Sequence, residues 1–145
     1  ILIQIEKFKH AYGQHRIHIL YVCEPIGANR SKYGYDEFEA LHGYLNYLCQ
    51  HNERNKFSIK IRPHPREAAD KYQSCIDLYR AKLDIILNAH ESLAEAIAWS
   101  DTVVGCETMA MVVALVADKK VYSAIPAHGR TCSLPHKNII KLFKA

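Results

Sequence analysis

No apolar run in the sequence is long enough to cross a bilayer: the longest, Met109 to Ala117, has nine residues, against the roughly 20 a spanning helix needs. Glycine and proline are scarce, six and five in 145 residues, and there is no low-complexity tract or internal repeat. That excludes fibrous, solenoid and disordered chains. The five cysteines (Cys23, Cys49, Cys75, Cys106 and Cys132) are odd in number, evenly spread and never form CxxC. A disulfide framework and a zinc ribbon are therefore excluded, and a reducing cytoplasm is the expected location. His10, His15, His18, His42 and His51 lack metal-ligand spacing, so no metal is expected. There is no GxGxxG after the first strand, no GxxxxGK[ST] and no GxSxG. The motif support for dinucleotide oxidoreductases, P-loop NTPases and α/β-hydrolases is thus absent. A net charge of +4 permits an anionic ligand but is no nucleic-acid-binding stripe. The chain has neither an initiator Met nor a tail after Phe143-Lys144-Ala145, which leads us to expect a piece of a longer protein.

What is present reads as strands alternating with helices. Ile1 to Tyr12 carries Leu2, Ile5 and Phe8 at helical spacing. β-Forming runs follow at 17–23, 57–62, 84–87, 101–105 and 121–125, most of them closed by proline, glycine or asparagine. Between them, Asp36 and Glu39 form a capping-box pair ahead of Phe38, Leu41, Leu45 and Leu48 at helical spacing. Further helices are predicted over 67–82, from the Ser92/Glu95 box onward, over 108–117, and over 134–143. Apolar strands separated by helices predict a sheet covered on both faces. With right-handed crossovers this is a Rossmann-like, doubly wound, three-layer αβα domain over residues 1–145. The expected sheet is parallel, of five or six strands, in order 3-2-1-4-5.

Ligands of such a sheet bind beyond the carboxyl ends of the strands. The loops there are Glu24–Tyr35, Pro63–Glu67, Asn88–Glu91, Gly105–Thr108 and Pro126–Ser133, carrying Glu24, Arg30, His64, Arg66, Glu107, Thr108, His128 and Arg130. In Lys60-Ile61-Arg62-Pro63-His64-Pro65-Arg66-Glu67, two prolines fix the backbone around His64, and three cations lie within four residues of it. A histidine flanked by Arg62 and Arg66 suits a phosphate; the plainer alternative is a helix start with solvated cations. In Gly105-Cys106-Glu107-Thr108 the glycine allows close approach of a ligand, or merely tight packing. The following helix offers its N-terminus to an anion. Thr108 adds a hydroxyl, and Glu107 serves a ribose or sugar hydroxyl or caps the helix. Glu24 opens a 12-residue loop, long enough to serve a ligand or a partner domain. Arg30 and Arg130 read as surface residues, with phosphate contact as the alternative.

Arg62-Pro63-His64-Pro65-Arg66-Glu67, Ser92-Leu93-Ala94-Glu95-Ala96, Ser100-Asp101-Thr102-Val103-Val104-Gly105 and Thr108-Met109-Ala110 together resemble the C-terminal half of a GT-B-type glycosyltransferase. The likeness is to bacterial surface-polysaccharide enzymes with a His-Pro motif: sialyltransferases, polysialyltransferases and teichoic-acid polymerases. The Glu24-Pro25 loop with Tyr33-Gly34-Tyr35-Asp36-Glu37 is similar to polysaccharide-biosynthesis proteins. The resemblance implies that His64 contacts the donor's phosphate and stabilises the leaving group, while Glu107 and Thr108 hold phosphate or ribose at a helix N-terminus. It also implies a nucleotide-sugar substrate, metal-independent transfer, and a general base in an N-terminal domain that this chain lacks. The domain alone is then a binder with little or no turnover. Where sialyltransferase-type enzymes carry consecutive Ser or Thr, this sequence has Gly105-Cys106-Glu107-Thr108, so CMP is not singled out as the nucleotide. Two alternatives stay open: half of a sugar-nucleotide epimerase, and a flavodoxin-like interaction module without nucleotide. The latter calls for an acidic cluster at the first strand end, where only Glu24 stands.

Overall fold

A computed structural model describes Ile5, residues 16–51 and residues 56–143. Six strands form one all-parallel sheet in the order β3-β2-β1-β4-β5-β6. They are β1 (Ile17–Val22), β2 (Phe57–Arg62), β3 (Asp84–Leu87), β4 (Thr102–Gly105), β5 (Lys120–Ser123) and β6 (Ile139–Lys141). The helices are α1 (Arg30–Tyr33), α2 (Glu37–His51), α3 (Gln73–Tyr79), α4 (Leu93–Trp99) and α5 (Met109–Val116).

Side chains along β1 alternate between two cores, as the period of two requires. Ile19 and Tyr21 pack with Leu41, Tyr44, Leu45 and Leu48 of α2 and with Cys75, Ile76 and Tyr79 of α3. Leu20 and Val22 face the other way, against Ala94 and Ile97 of α4 and Met111 and Ala114 of α5. This is the expected three-layer, doubly wound fold. The five cysteines are all free, four of them buried. Among the described residues no helix is long and apolar enough to cross a membrane. The helix expected over Ile1 to Tyr12 lies outside the described residues, apart from Ile5, which is buried in the second core.

Two predicted helices are corrected. Only Gln73–Tyr79 of the helix expected over 67–82 is helical. Before it the chain makes successive three-residue closures, with Glu67, Lys71 and Gln73 N–H groups donating to the carbonyls of His64, Ala68 and Asp70. The buried Glu67 carboxylate, which binds His64 N–H, Lys71 and Tyr72, draws this stretch into turns. The helix expected over 134–143 is instead the edge strand β6, whose Ile139–Lys141 pair in register with Val121–Ser123. The β-branched pair Ile139-Ile140 suits a pleated edge, and β5 supplies the backbone partner. The sheet therefore has the sixth strand.

The capping boxes hold in different degrees. Ser92 Oγ accepts from Glu95 N–H at 3.1 Å and bonds the Glu95 carboxylate at 3.2 Å. Asp36 accepts from Glu39 N–H at 2.8 Å, but the Glu39 carboxylate turns to Arg30 at 2.7 Å and His128 at 2.8 Å.

Gly105, at the end of β4, is buried where the sheet meets α5. A Cβ there would lie 2.8 Å from Val22 Cγ2, 3.0 Å from Met111 Sδ and 3.1 Å from the Val22 carbonyl oxygen. Two of those contacts involve central β1, which cannot retreat. Gly105→Ala is therefore expected to destabilise the fold by about 1–3 kcal/mol, in the range of core overpacking. Urea unfolding of the two proteins side by side measures this, and equal midpoints would refute it.

Candidate functional site

The carboxyl ends of β1, β2 and β4 converge, and the ladder runs on past the strands. Cys23 N–H donates to Arg62 O at 2.9 Å, Asn88 N–H to Ile61 O at 2.8 Å and Ala124 N–H to Gly105 O at 2.7 Å. Beyond these bonds lies a cavity of about 240 Å³ lined by Val22, Cys23, Arg62, Pro63, His64, Pro65, Leu93, Thr108, Met109 and Ala110. Of the residues singled out in the sequence, Arg62, His64 and Thr108 meet here. A second cavity of about 270 Å³ lies beside it, bordered by Arg62, His64, Glu67, Asn88 and Ala89 among others. His64 and Arg62 line both.

His64 is held on two sides. Its backbone N–H donates to Glu67 Oε1 at 2.8 Å, and its Nδ1 accepts from Arg66 N–H at 3.1 Å. A ring nitrogen that accepts carries no proton, so the neutral ring's N–H is Nε2. His64 thus opens a β-turn with Pro65 second, and Glu67, whose N–H donates to His64 O, returns its carboxylate to the His64 N–H with the i, i+3 reciprocity of a capping box. Sequence reasoning missed this, although the spacing H-P-x-E carries the signal.

Arg62 ends β2 with Nη1 donating to Asn88 Oδ1 and to the Glu91 carbonyl, both at 2.8 Å. Burial pulls its guanidinium below the ordinary value, against the opposing pull of the Glu91 carboxylate. Arg66 is exposed, and its side chain borders neither cavity. Thr108 is the N-cap of α5, its hydroxyl oxygen accepting from Ala110 N–H at 3.3 Å.

Glu24 and Glu107 stand apart from the cavities and bind to each other's surroundings. Glu24 Oε1 accepts from Glu107 N–H at 2.9 Å. Burial raises the Glu24 carboxyl above its ordinary range, an effect the Glu107 N–H and Arg130 only partly offset. The Glu107 carboxylate accepts from Ser133 N–H and Ser133 Oγ, both at 2.8 Å, and from Arg130. Burial pushes this carboxyl upward, but the donors of Ser133 and Arg130 outweigh it and hold Glu107 below 4.5. Arg130 also stacks over the Tyr33 ring at 4.1 Å, and its N–H donates to Tyr33 O at 2.7 Å. The sequence had assigned Arg130 to the surface, with no local signal for a partner 23 residues away. Glu107 thereby anchors the 126–133 loop.

No family model matches the chain, and no curated protein matches it. Solved structures do share its fold. The Thermosulfurimonas dismutans KpsC beta Kdo 2,7 transferase superposes with a TM-score of 0.61 at 15% identity, over 99% of this chain and 43% of that one. The KpsC beta Kdo 2,4 transferase of the same organism gives 0.61 at 13% identity, over 99% of this chain and 47% of that one. The chain spans less than half the length of either, and at these identities the likeness is one of fold.

The depressed Glu107 carboxyl gives a pH prediction. A carboxylate whose folded value lies below its unfolded one adds stability that is fully present above the unfolded value and lost as pH falls through the folded one. Glu107→Gln is therefore expected to be less stable than the parent at pH 7, the gap narrowing as pH falls below 4.5. Denaturant unfolding at neutral pH and in steps below that value tests it; a gap independent of pH would contradict it.

Proposed function

We propose that the chain is the nucleotide-sugar-binding domain of a glycosyltransferase that builds a surface polysaccharide. One observation carries this reading: His64, with its free Nε2–H, and Thr108, at the N-terminus of α5, border the same cavity at the carboxyl edge of the sheet. A phosphate bound between them meets a neutral N–H donor, a hydroxyl, and the positive end of a helix dipole. Arg62 commits Nη1 to Asn88 and Glu91, and the remainder of its guanidinium fork is available to a phosphate oxygen. Arg66, exposed and outside the cavity lining, contributes only its backbone N–H, which fixes His64 Nδ1.

Transfer of a sugar leaves extra negative charge on the departing nucleotide phosphate. Donors already fixed in place stabilise that charge without reorganising, and here they do so without calling on a divalent cation. Glu107 spends both carboxylate oxygens on Arg130 and Ser133, so we assign a ribose or sugar hydroxyl to Glu24 alone, whose chain neighbour Cys23 lines the cavity. Gly105 lets β4 pack closely on Val22, which lines the cavity. The acceptor and the general base belong, in this reading, to a second domain of the same polypeptide. Support comes from the fold shared with two Kdo transferases and, separately, from the family resemblance carried by this sequence's His-Pro, Ser-x-x-Glu and strand–Gly–helix motifs.

The test is a calorimetric and thermal-shift screen of CMP, CDP, UDP and GDP against the protein and His64→Ala. One nucleotide is expected to bind, with a loss of about tenfold to a hundredfold in the variant, the worth of a hydrogen bond to a charged group. Equal affinity in the variant removes His64 from the site. No binding by any nucleotide returns the fold to the interaction-module reading.

A further inference from the structure

The His64 turn is secured by a carboxylate that has no contact with the ligand proposed above. The Glu67 side chain is only 1% exposed. Its Oε1 accepts from His64 N–H, and its Oε2 accepts from Lys71 Nζ at 2.7 Å and from the Tyr72 hydroxyl. Lys71 in turn reaches Glu37 Oε2 at 2.9 Å. That same oxygen accepts from Ile26 N–H at 3.0 Å and Gly27 N–H at 3.2 Å. One ammonium therefore bridges two buried carboxylates, one fastened to the His64 turn and the other to the loop that follows β1.

We infer that Glu67 is a positioning residue, acting through His64. It pins the backbone N–H of His64 while Arg66 N–H pins Nδ1, and together they select the tautomer with its proton on Nε2. Through Lys71 and Glu37 the same carboxylate makes the β1 loop and the His64 turn one rigid frame around the cavity. A desolvated carboxylate is suited to this, because its bonds to N–H, ammonium and hydroxyl are charge-assisted and every departure from them leaves a buried charge unpaired. This role rests on the nucleotide-binding reading for its purpose, but its geometry can be tested separately.

The measurement is ¹⁵N NMR of the His64 ring and amide, with nucleotide affinity, in the parent, Glu67→Ala and Glu67→Gln. In the parent the ring is expected to be the Nε2–H tautomer and the His64 amide to be protected from exchange. Glu67→Ala should yield mixed tautomers, a rapidly exchanging amide, and nucleotide binding weaker by about tenfold or more, the worth of a lost charge-assisted bond. Glu67→Gln keeps an oxygen for His64 N–H and an amide to donate to Tyr72, while Lys71 keeps Glu37, so it should restore tautomer and affinity to within about threefold. A folded Glu67→Ala with the single Nε2–H tautomer and parental affinity overturns the inference. If that variant does not fold, a parent His64 amide exchanging at the rate of an open loop overturns it equally, and a protected one upholds it. A parent that binds no nucleotide defeats the nucleotide reading alone, since tautomer and exchange still report on Glu67.

Discussion

A carboxylate removed almost wholly from water must find its partners inside the protein, and the carboxyl edge of this sheet is built around that requirement at Glu67. The carboxylate takes donors from three directions: the backbone of His64, the ammonium of Lys71 and the hydroxyl of Tyr72. Each partner belongs to a different structural need. His64 carries the chemistry proposed for the site, Tyr72 is fully buried at the entrance to α3, and Lys71 continues to Glu37 at the start of α2. Burial disfavours every charge in the group. Hydrogen bonds from Lys71 and from backbone N–H groups nevertheless hold the Glu37 carboxyl below its ordinary value, and the two carboxylates hold Lys71 above its own. The group is favourable only while complete, which makes the edge specific in shape.

The sheet supplies the other half of the arrangement. Its order reverses at β1, so crossovers to β2 and β4 leave in opposite directions and their loops part at that point. Arg62 at the end of β2 and Thr108 after β4 are 46 positions apart, yet they face one cavity because β1 pairs with both strands. Gly105 completes the convergence, since the Val22 side chain and carbonyl and Met111 occupy the space a side chain would need. Packing at this junction therefore asks for a residue without a side chain.

Most of the fold was legible in the sequence for a simple reason. Strands such as Ile17–Val22 and Phe57–Arg62 are β-forming runs that end at Pro25 or Pro63, and parallel order follows from the helices between them. The errors came where side-chain and inter-strand bonds outweighed helix preference. Ala68, Ala69 and Lys71 favour helix, but the demands of Glu67 broke that stretch into turns. The 134–143 stretch was read as a helix although Ile139-Ile140 is a β-branched pair, and pairing with β5 makes it a strand. Within the site, His64, Arg62 and Thr108 could be grouped from strand polarity alone. The tie from Glu107 to Arg130 and Ser133 could not, because nothing in the intervening residues announces it. The return bond from Glu67 to His64 is local, three residues long, and was open to recognition by its capping-box spacing.

The connection between β5 and β6 has no helix, and it is fastened at its centre by side chains. Glu107 holds Arg130 and Ser133, Tyr33 carries the Arg130 guanidinium, and Gly129 lies against the Tyr35 ring, where a Cβ would come within 2.6 Å of Cδ1. Such a segment has its own unfolding equilibrium, separate from that of the sheet beneath. Releasing it breaks those polar contacts and uncovers a small third core of Ile26, Tyr35, Ala40, Cys106, Ile125 and Cys132, distinct from the two that flank the sheet. The Glu24–Glu107 corner and the His64 turn thus hang on separate fastenings along one edge.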